Sequence, residues 1–189
     1  FDLWWISLDS NKAEKIISQS KEYKFYLKNL RKFKEHTLKE NEEKIINIKN
    51  LTGANSVSNI YDIITNAYTF KFKQEKELSQ EEIMQKVLEK DPETRKLAYE
   101  TVMKKYAQEE SVLGELYRAI VVDWIKEGMT LRNYKSPISI RNKANNLPDK
   151  SIETLLKVCR KNTSVFQEYF KLKAKIMGME KLRRYDLYA

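Results

Sequence analysis

Residues 91–127, DPETRKLAYETVMKKYAQEESVLGELYRAIVVDWIKE, decide the fold class. Asp91 before Pro92 is a helix start: the cap carboxylate can accept first-turn amides, and proline's missing N–H costs nothing at the first helical position. Gly128 follows, where a left-handed C-terminal stop belongs. A helix over 92–127 would be about 54 Å long at 1.5 Å per residue, so it must cross most of a domain.

The same signals recur on either side. Thr37-Leu38-Lys39-Glu40 and Ser79-Gln80-Glu81-Glu82 have the spacing of capping boxes, Ser136-Pro137 repeats the cap-proline pair, and Gly178 is a second stop. Only 4 glycines and 3 prolines punctuate 189 residues, so the elements are long. Helices are predicted near 10–19, 21–36, 38–50, 55–66, 79–90, 92–127, 137–145 and 148–177. Tyr68-Thr69-Phe70-Lys71-Phe72 alone alternates like a strand. It must pair within the chain or with a part outside it, or else be an extended connector. The expected architecture is an all-α bundle of antiparallel hairpins, with at most one or two short strands and a possible sub-boundary near 67–78.

Two segments show their faces. In 21–36, Tyr23, Tyr26, Leu27, Leu30 and Phe33 share one side and the lysines the other, with Phe25 alone on the basic side. In 148–177, Ile152, Leu155, Leu156, Cys159, Phe166, Tyr169, Phe170 and Met177 form an apolar arc. Asn162 and Lys173 fall inside that arc. A buried ammonium needs a partner, and Asp123 or Asp186 is expected to supply it, unless the carboxylate comes from outside the chain.

Hydrophobic residues make up 41% and charged residues 33%, too rich in apolar side chains for disorder. No stretch is long and apolar enough to span a bilayer and no signal peptide opens the chain. Phe1 in place of an initiator Met implies a chain processed or cut from something longer. Cys159 is the single cysteine; it excludes an intramolecular disulfide and fits a cytoplasmic protein. The net charge of +9 lies wholly in 128–189, which hold 14 Lys/Arg against 5 Asp/Glu, whereas 1–127 hold 22 of each. Such asymmetry fits an acidic ligand, an acidic partner domain, or a solvated basic face.

Catalytic chemistry is hard to place. His36 is the single histidine, and a hydrolytic zinc takes three protein ligands, so the usual set cannot be assembled. His36 falls at a predicted helix C-terminus, where an imidazole interacts favourably with the helix dipole. Cys159, inside the apolar arc, is expected to be a buried, inert thiol. Four scattered glycines build no phosphate loop. Glu40, Glu42 and Glu43 read as a solvated face. The sequons at Asn50 and Asn162 carry no weight in a cytoplasmic chain.

Several strings, in order, carry a resemblance. They are His36-Thr37-Leu38 with Glu42-Glu43-Lys44-Ile45, Leu51-Thr52-Gly53-Ala54, Tyr61-Asp62 with Thr65-Asn66, and the run from Asp91 to Glu100. Tyr134-Lys135-Ser136-Pro137 follows, continuing through Arg141-Asn142 and Ala144-Asn145 to Leu147-Pro148. Last come Leu172-Lys173-Ala174-Lys175 and Tyr185-Asp186-Leu187-Tyr188-Ala189. Together they resemble the non-catalytic front half of the oligoendopeptidase F family of thimet-type zinc metallopeptidases. The resemblance implies a helical, clam-like enzyme that encloses short peptides in a deep channel, with zinc held by an H-E-x-x-H helix and a further glutamate. That helix is expected beyond residue 189, so residues 1–189 are expected to form a lobe with no catalytic or metal-binding residue, inactive alone. Lys173, Asn162, Tyr185, Asp186 and Tyr188 are the candidates for channel lining or a polar core. The expected partners are short peptides and the catalytic lobe. An apolar face left uncovered would favour self-association. A stand-alone basic module binding nucleic acid or an acidic protein is the alternative. Nucleic acid is disfavoured because the aromatics and lysines of 21–34 lie on opposite faces, whereas stacking rings belong beside cations.

Overall fold

A computed structural model describes residues 1–74 and 77–188. The chain is all-α, as expected, with a single antiparallel bridge among the described residues. Among the described residues eleven α-helices run α1 Asp2–Ser7, α2 Ser10–Gln19, α3 Lys24–Arg31, α4 Glu40–Thr52, α5 Ala54–Asn66, α6 Gln80–Lys86, α7 Pro92–Gln108, α8 Glu110–Ile125, α9 Pro137–Ala144, α10 Asp149–Lys161 and α11 Thr163–Ile176. The chain divides into two compact units, one of Phe1–Ser56 with Ala119–Leu156, the other of Val57–Arg118 with Lys157–Ala189. Residues 67–78 lie inside the second.

In the first unit, Trp5, Ala13, Ile17 and Leu27 make the core, with Leu8 and Leu30 against it. The indole N–H of Trp5 donates to the carbonyl of Leu27 at 2.9 Å, and Arg31 Nη1 donates to the carbonyls of Trp5 and Leu8, both at 2.9 Å. These bonds satisfy the free end of α1, a helix that the sequence periodicity does not show. They also limit what α3 buries. Leu27 faces inward, but Tyr23 and Tyr26 are exposed, against expectation, because α1 covers only the end of that stripe nearest Leu27. The predicted helix 21–36 stops at Arg31 and resumes as a 3₁₀ turn at Lys34–His36.

In the second unit, Tyr68, Phe70, Phe72, Ile83, Val87, Ala98 and Val102 form the core. The alternating segment thus supplies three buried rings. Phe70 and Leu78 exchange both backbone bonds at 2.9 Å, so the predicted strand pairs within the chain, at one position. The Ser79 capping box is formed: Ser79 Oγ accepts from Glu82 N–H at 3.3 Å, and Glu82 accepts from Ser79 N–H at 2.7 Å. Asp91 caps α7 through Thr94 N–H at 2.9 Å. At residue 37 the expected box is absent. Thr37 Oγ1 donates back to the Phe33 carbonyl, and Glu42 accepts from Lys39 N–H at 3.0 Å, so α4 begins two residues later.

Both longest predicted helices are broken. Glu109 N–H bonds the Tyr106 carbonyl three residues back at 3.2 Å, a tightened turn that ends α7. At the second break, Asn162 Nδ2 and Thr163 Oγ1 take the carbonyls of Val158 and Arg160, in competition with the helical ladder. Neither break involves glycine or proline. Gly128 is also not a left-handed stop. It lies in a π-helical turn, Lys126–Leu131, and is buried, with Ile140 Cδ1 only 2.1 Å from where a Cβ would stand. Gly178 does stop α11 with φ +66°.

Candidate functional site

The second unit holds a buried ion pair that fastens the C-terminal segment. Arg95 sits one turn before Ala98 on the inward stripe of α7 and is 1% exposed; Asp186, in the 3₁₀ turn Arg184–Asp186, is fully buried. Arg95 Nη2 and Nε donate to Asp186 Oδ1 at 2.6 and 3.2 Å. Its Nη1 reaches the carbonyls of Glu89 and Lys90 at 2.9 and 2.7 Å, closing the turns that follow α6 and shorten the predicted helix 79–90. Asp186 Oδ2 accepts from Arg183 N–H at 2.8 Å. Four of the five guanidinium N–H groups and both carboxylate oxygens are engaged, as a buried charge requires.

Of the residues singled out in the sequence, Asp186 and Lys173 meet in this segment, but not as a pair. Lys173 Nζ donates to the carbonyl of Leu187 at 2.9 Å, so its partner is a carbonyl and not the expected carboxylate, because Asp186 is taken by Arg95. Tyr185 packs on Tyr99 at 5.8 Å between ring centres. Tyr188 is exposed, with the Arg184 guanidinium 5.4 Å over its ring. Asn162 is exposed at the break between α10 and α11 and lies in no core. Arg95 went unseen in the sequence, although the signal was there: an arginine in phase with Ala98 and Val102 needs a carboxylate.

Cys159 is exposed, contrary to expectation. The apolar arc that was to bury it is itself largely uncovered: Leu155, Phe166 and Tyr169 are more than half exposed, and Leu156 and Phe170 more than a third. The amphipathic pattern was read correctly, and within the second unit nothing described packs on that face.

The first unit holds the other polar cluster. Arg132 follows the π-helical turn and clasps Glu43 of α4 with two bonds, Nη1–Oε1 at 2.6 Å and Nη2–Oε2 at 2.9 Å, while its Nε donates to Glu127 at 2.8 Å. Glu43 also accepts from Leu38 N–H at 2.9 Å. The Arg132 guanidinium and that amide hold the Glu43 carboxyl below its ordinary value, and Glu43 in turn raises the already high pKa of Arg132. Glu43 is therefore half of a clasp and no part of a solvated face. His36 Nδ1 lies 2.7 Å from the Arg132 carbonyl oxygen, and the imidazole stacks on Tyr134 at 3.6 Å. Burial pushes the Tyr134 phenol up. Beside this stack opens a cavity of about 550 Å³ whose walls include Lys32, Lys135 and Lys143.

Both clusters tie turns to helices. Among the described residues no three His, Cys, Asp or Glu side chains converge on a point where a metal ion could sit. His36 is engaged by a carbonyl and a ring, so these residues do not fit a hydrolytic zinc. The class defined by fold and clusters is an all-α scaffold whose turns are held by arginine–carboxylate clasps.

Comparison with known proteins specifies the scaffold further. Residues 4–70 match the oligopeptidase F family model, and residues 84–189 match that of peptidase family M3. The chain is 25% identical to oligopeptidase PepF of Bacillus subtilis over 195 residues, covering 97% of this chain and 28% of that protein. It is 27% identical over 172 residues to an oligoendopeptidase F homolog of Borreliella burgdorferi, covering 89% of this chain and 28% of that protein. The crystal structure of oligoendopeptidase-F from Enterococcus faecium superposes with a TM-score of 0.81 over the whole chain and 37% of its own, at 19% identity, a likeness of fold. The chain belongs to peptidase family M3. It spans about 28% of the length of these curated relatives.

Proposed function

We propose that residues 1–189 form a helical, non-catalytic part of a zinc-dependent oligoendopeptidase that cleaves internal bonds of short peptides, and that they wall its substrate channel. The observation that carries this reading is the ordered match of the chain to two consecutive peptidase models, together with about 28% coverage of oligopeptidases that are much longer. The uncovered apolar face of α11 supports it, since a face of that size is stable in water only when something covers it. Zinc would be held by residues outside this chain. No helix among the described residues is long and apolar enough to cross a membrane, and the reading adopts a cytoplasmic location. Asn162 and Tyr188, both exposed, are the sequence-selected residues free to line a channel, while Asp186 and Lys173 hold the C-terminal turn.

The test uses the whole protein that contains these residues. Cleavage of an internally quenched short peptide should stop with a chelator and return with zinc; activity indifferent to chelation would overturn the enzyme reading. A bound peptide carrying a photoreactive phenylalanine should crosslink within residues 1–189, and adducts confined to the rest of the protein would overturn the channel-wall reading.

A second reading has one observation in its favour. On α11, Phe166, Tyr169 and Phe170 are exposed beside Lys171 and Lys175, an arrangement of rings and cations that single-stranded nucleic acid or an acidic protein could use. Retention on heparin that falls steeply with salt would support it. Elution at low salt would dismiss it.

A further inference from the structure

The carboxylate of Glu35 is held by cations that its exposed position does not require. Its side chain is 71% exposed, yet Oε1 is bonded to Lys143 Nζ of α9 and lies 3.3 Å from His36 Nε2. Lys143, His36 and Lys135 together hold this carboxyl below its ordinary value. The groups around it are anchored. His36 must carry hydrogen on Nδ1 to meet the Arg132 carbonyl at 2.7 Å, and its ring is fixed by the stack on buried Tyr134. Arg132 is in turn clasped by Glu43 and Glu127.

This cradle opens into the cavity of about 550 Å³, a volume in the range of small-ligand sites. Asn133 and Asn146, both on its wall, have φ of +55°; they are two of three non-glycine residues in the left-handed region among the described residues. Strained backbone of this kind gathers at binding sites. Lys32 reaches in and is bonded to Asn146 Oδ1. The one other carboxylate on the wall, Asp149, is bonded by Asn142 and Ser139 at 2.8 and 3.0 Å and also feels the charges of Lys135 and Lys143. Lys143 and Lys135, beside the anchored imidazole, are therefore faced by an exposed side chain, Glu35. An exposed ion pair of this kind contributes little stability, so displacing Glu35 costs an incoming carboxylate little.

We infer that this cavity is a carboxylate-binding site, with Lys143, Lys135 and Lys32 as its cationic groups and Glu35 as an exchangeable internal occupant. Its ligand is an oligopeptide carboxylate, either the free C-terminus or an acidic side chain. The choice of a peptide rests on the oligopeptidase reading; the cradle itself does not. The lysines position the carboxylate as point charges.

The experiment titrates three peptides into the ¹⁵N-labelled whole protein that contains these residues: N-acetyl-tetraalanine, its C-terminal amide, and N-acetyl-Ala-Ala-Glu-Ala-amide. The first and third should shift the amides of Lys135, Ser139 and Lys143, and the amide control should not. Whichever of the two binds more tightly names the source of the carboxylate. Glu35→Gln removes the internal competitor at an exposed position and should tighten binding roughly threefold. Lys143→Met should weaken it roughly fivefold. Equal binding of the amide control, or an affinity unchanged in Glu35→Gln, would overturn the inference. No binding by any peptide would also sink the site, yet leave the peptidase reading standing on chelator-sensitive cleavage. Carboxylate capture in a protein whose cleavage ignores chelation would do the reverse.

Discussion

Replacing Asp186 by Asn leaves the Arg95 guanidinium charged, 1% exposed and without its anion. The amide oxygen can still accept the two contacts now made to Oδ1, at 2.6 and 3.2 Å, but without a negative charge, and the Arg183 N–H loses its Oδ2 acceptor, whereas the Nη1 bonds to the carbonyls of Glu89 and Lys90 survive. Stranding one member of a buried pair costs about 3–5 kcal/mol, and because the amide oxygen still accepts, about 3 kcal/mol is expected. At a urea dependence of about 1–3 kcal/mol per molar, the midpoint should fall by roughly 1–3 M. The loss should be local to the second unit, and the chain supplies its own control. Trp4, Trp5 and Trp124 all lie in the first unit, so tryptophan emission follows that unit, while amide exchange in α7 follows the second. Exchange protection in α7 should drop in Asp186→Asn with the tryptophan transition little moved. The double variant Arg95→Met with Asp186→Leu should recover part of the loss. It will not recover all of it, because methionine cannot satisfy the Glu89 and Lys90 carbonyls. A single variant within about 0.5 kcal/mol of the parent would refute the claim that this pair fastens the C-terminal turn.

Three further outcomes are expected. Gly128→Ala drives a methyl to 2.1 Å from Ile140 Cδ1, which should cost about 1–3 kcal/mol, measured by thermal melting of the tryptophan signal, and Ile140→Ala in the same chain should relieve part of it. The Glu43 carboxyl is held below its ordinary value of 4.5 by Arg132, so between the folded and unfolded values the unfolded chain binds more protons. Its contribution is therefore full above about pH 4.5 and lost as pH falls through the lower folded value, and Glu43→Gln should flatten that acid limb in urea titrations followed by tryptophan. Cys159 is exposed, so a thiol reagent should label the native chain at a rate within about tenfold of the urea-unfolded chain, and strong protection would show that its helix face is covered in solution.

Local chemistry was legible in the sequence because its causes lie within a few residues. The Ser79 box and the Asp91 and Ser136 caps each involve a side chain and an amide three positions apart, the Gly178 stop is a single backbone angle, and helix α2 falls on its predicted bounds, Ser10–Gln19. The ordered strings that carry the family resemblance are likewise a property of the chain alone, and the all-α class follows from both. The breaks at Glu109 and Asn162 were not legible, since each is a choice among nearly equal hydrogen-bond partners in a polar stretch without glycine or proline. Nor were the clasps. Arg95 finds Asp186 91 positions away and Arg132 finds Glu43 89 away, and no periodicity within one helix encodes its partner on another. Burial of the arc on α10 and α11 was misjudged for the same reason: amphipathic spacing specifies which face is apolar, but whether that face leaves water depends on what packs against it. Only the tertiary structure decided that Gly128 is needed for the close approach of Ile140, that His36 stacks on Tyr134, and that Glu35 lies among cations. These are contacts between segments distant in sequence, where the free energy of packing, summed over many partners, outweighs the local propensities of any one of them.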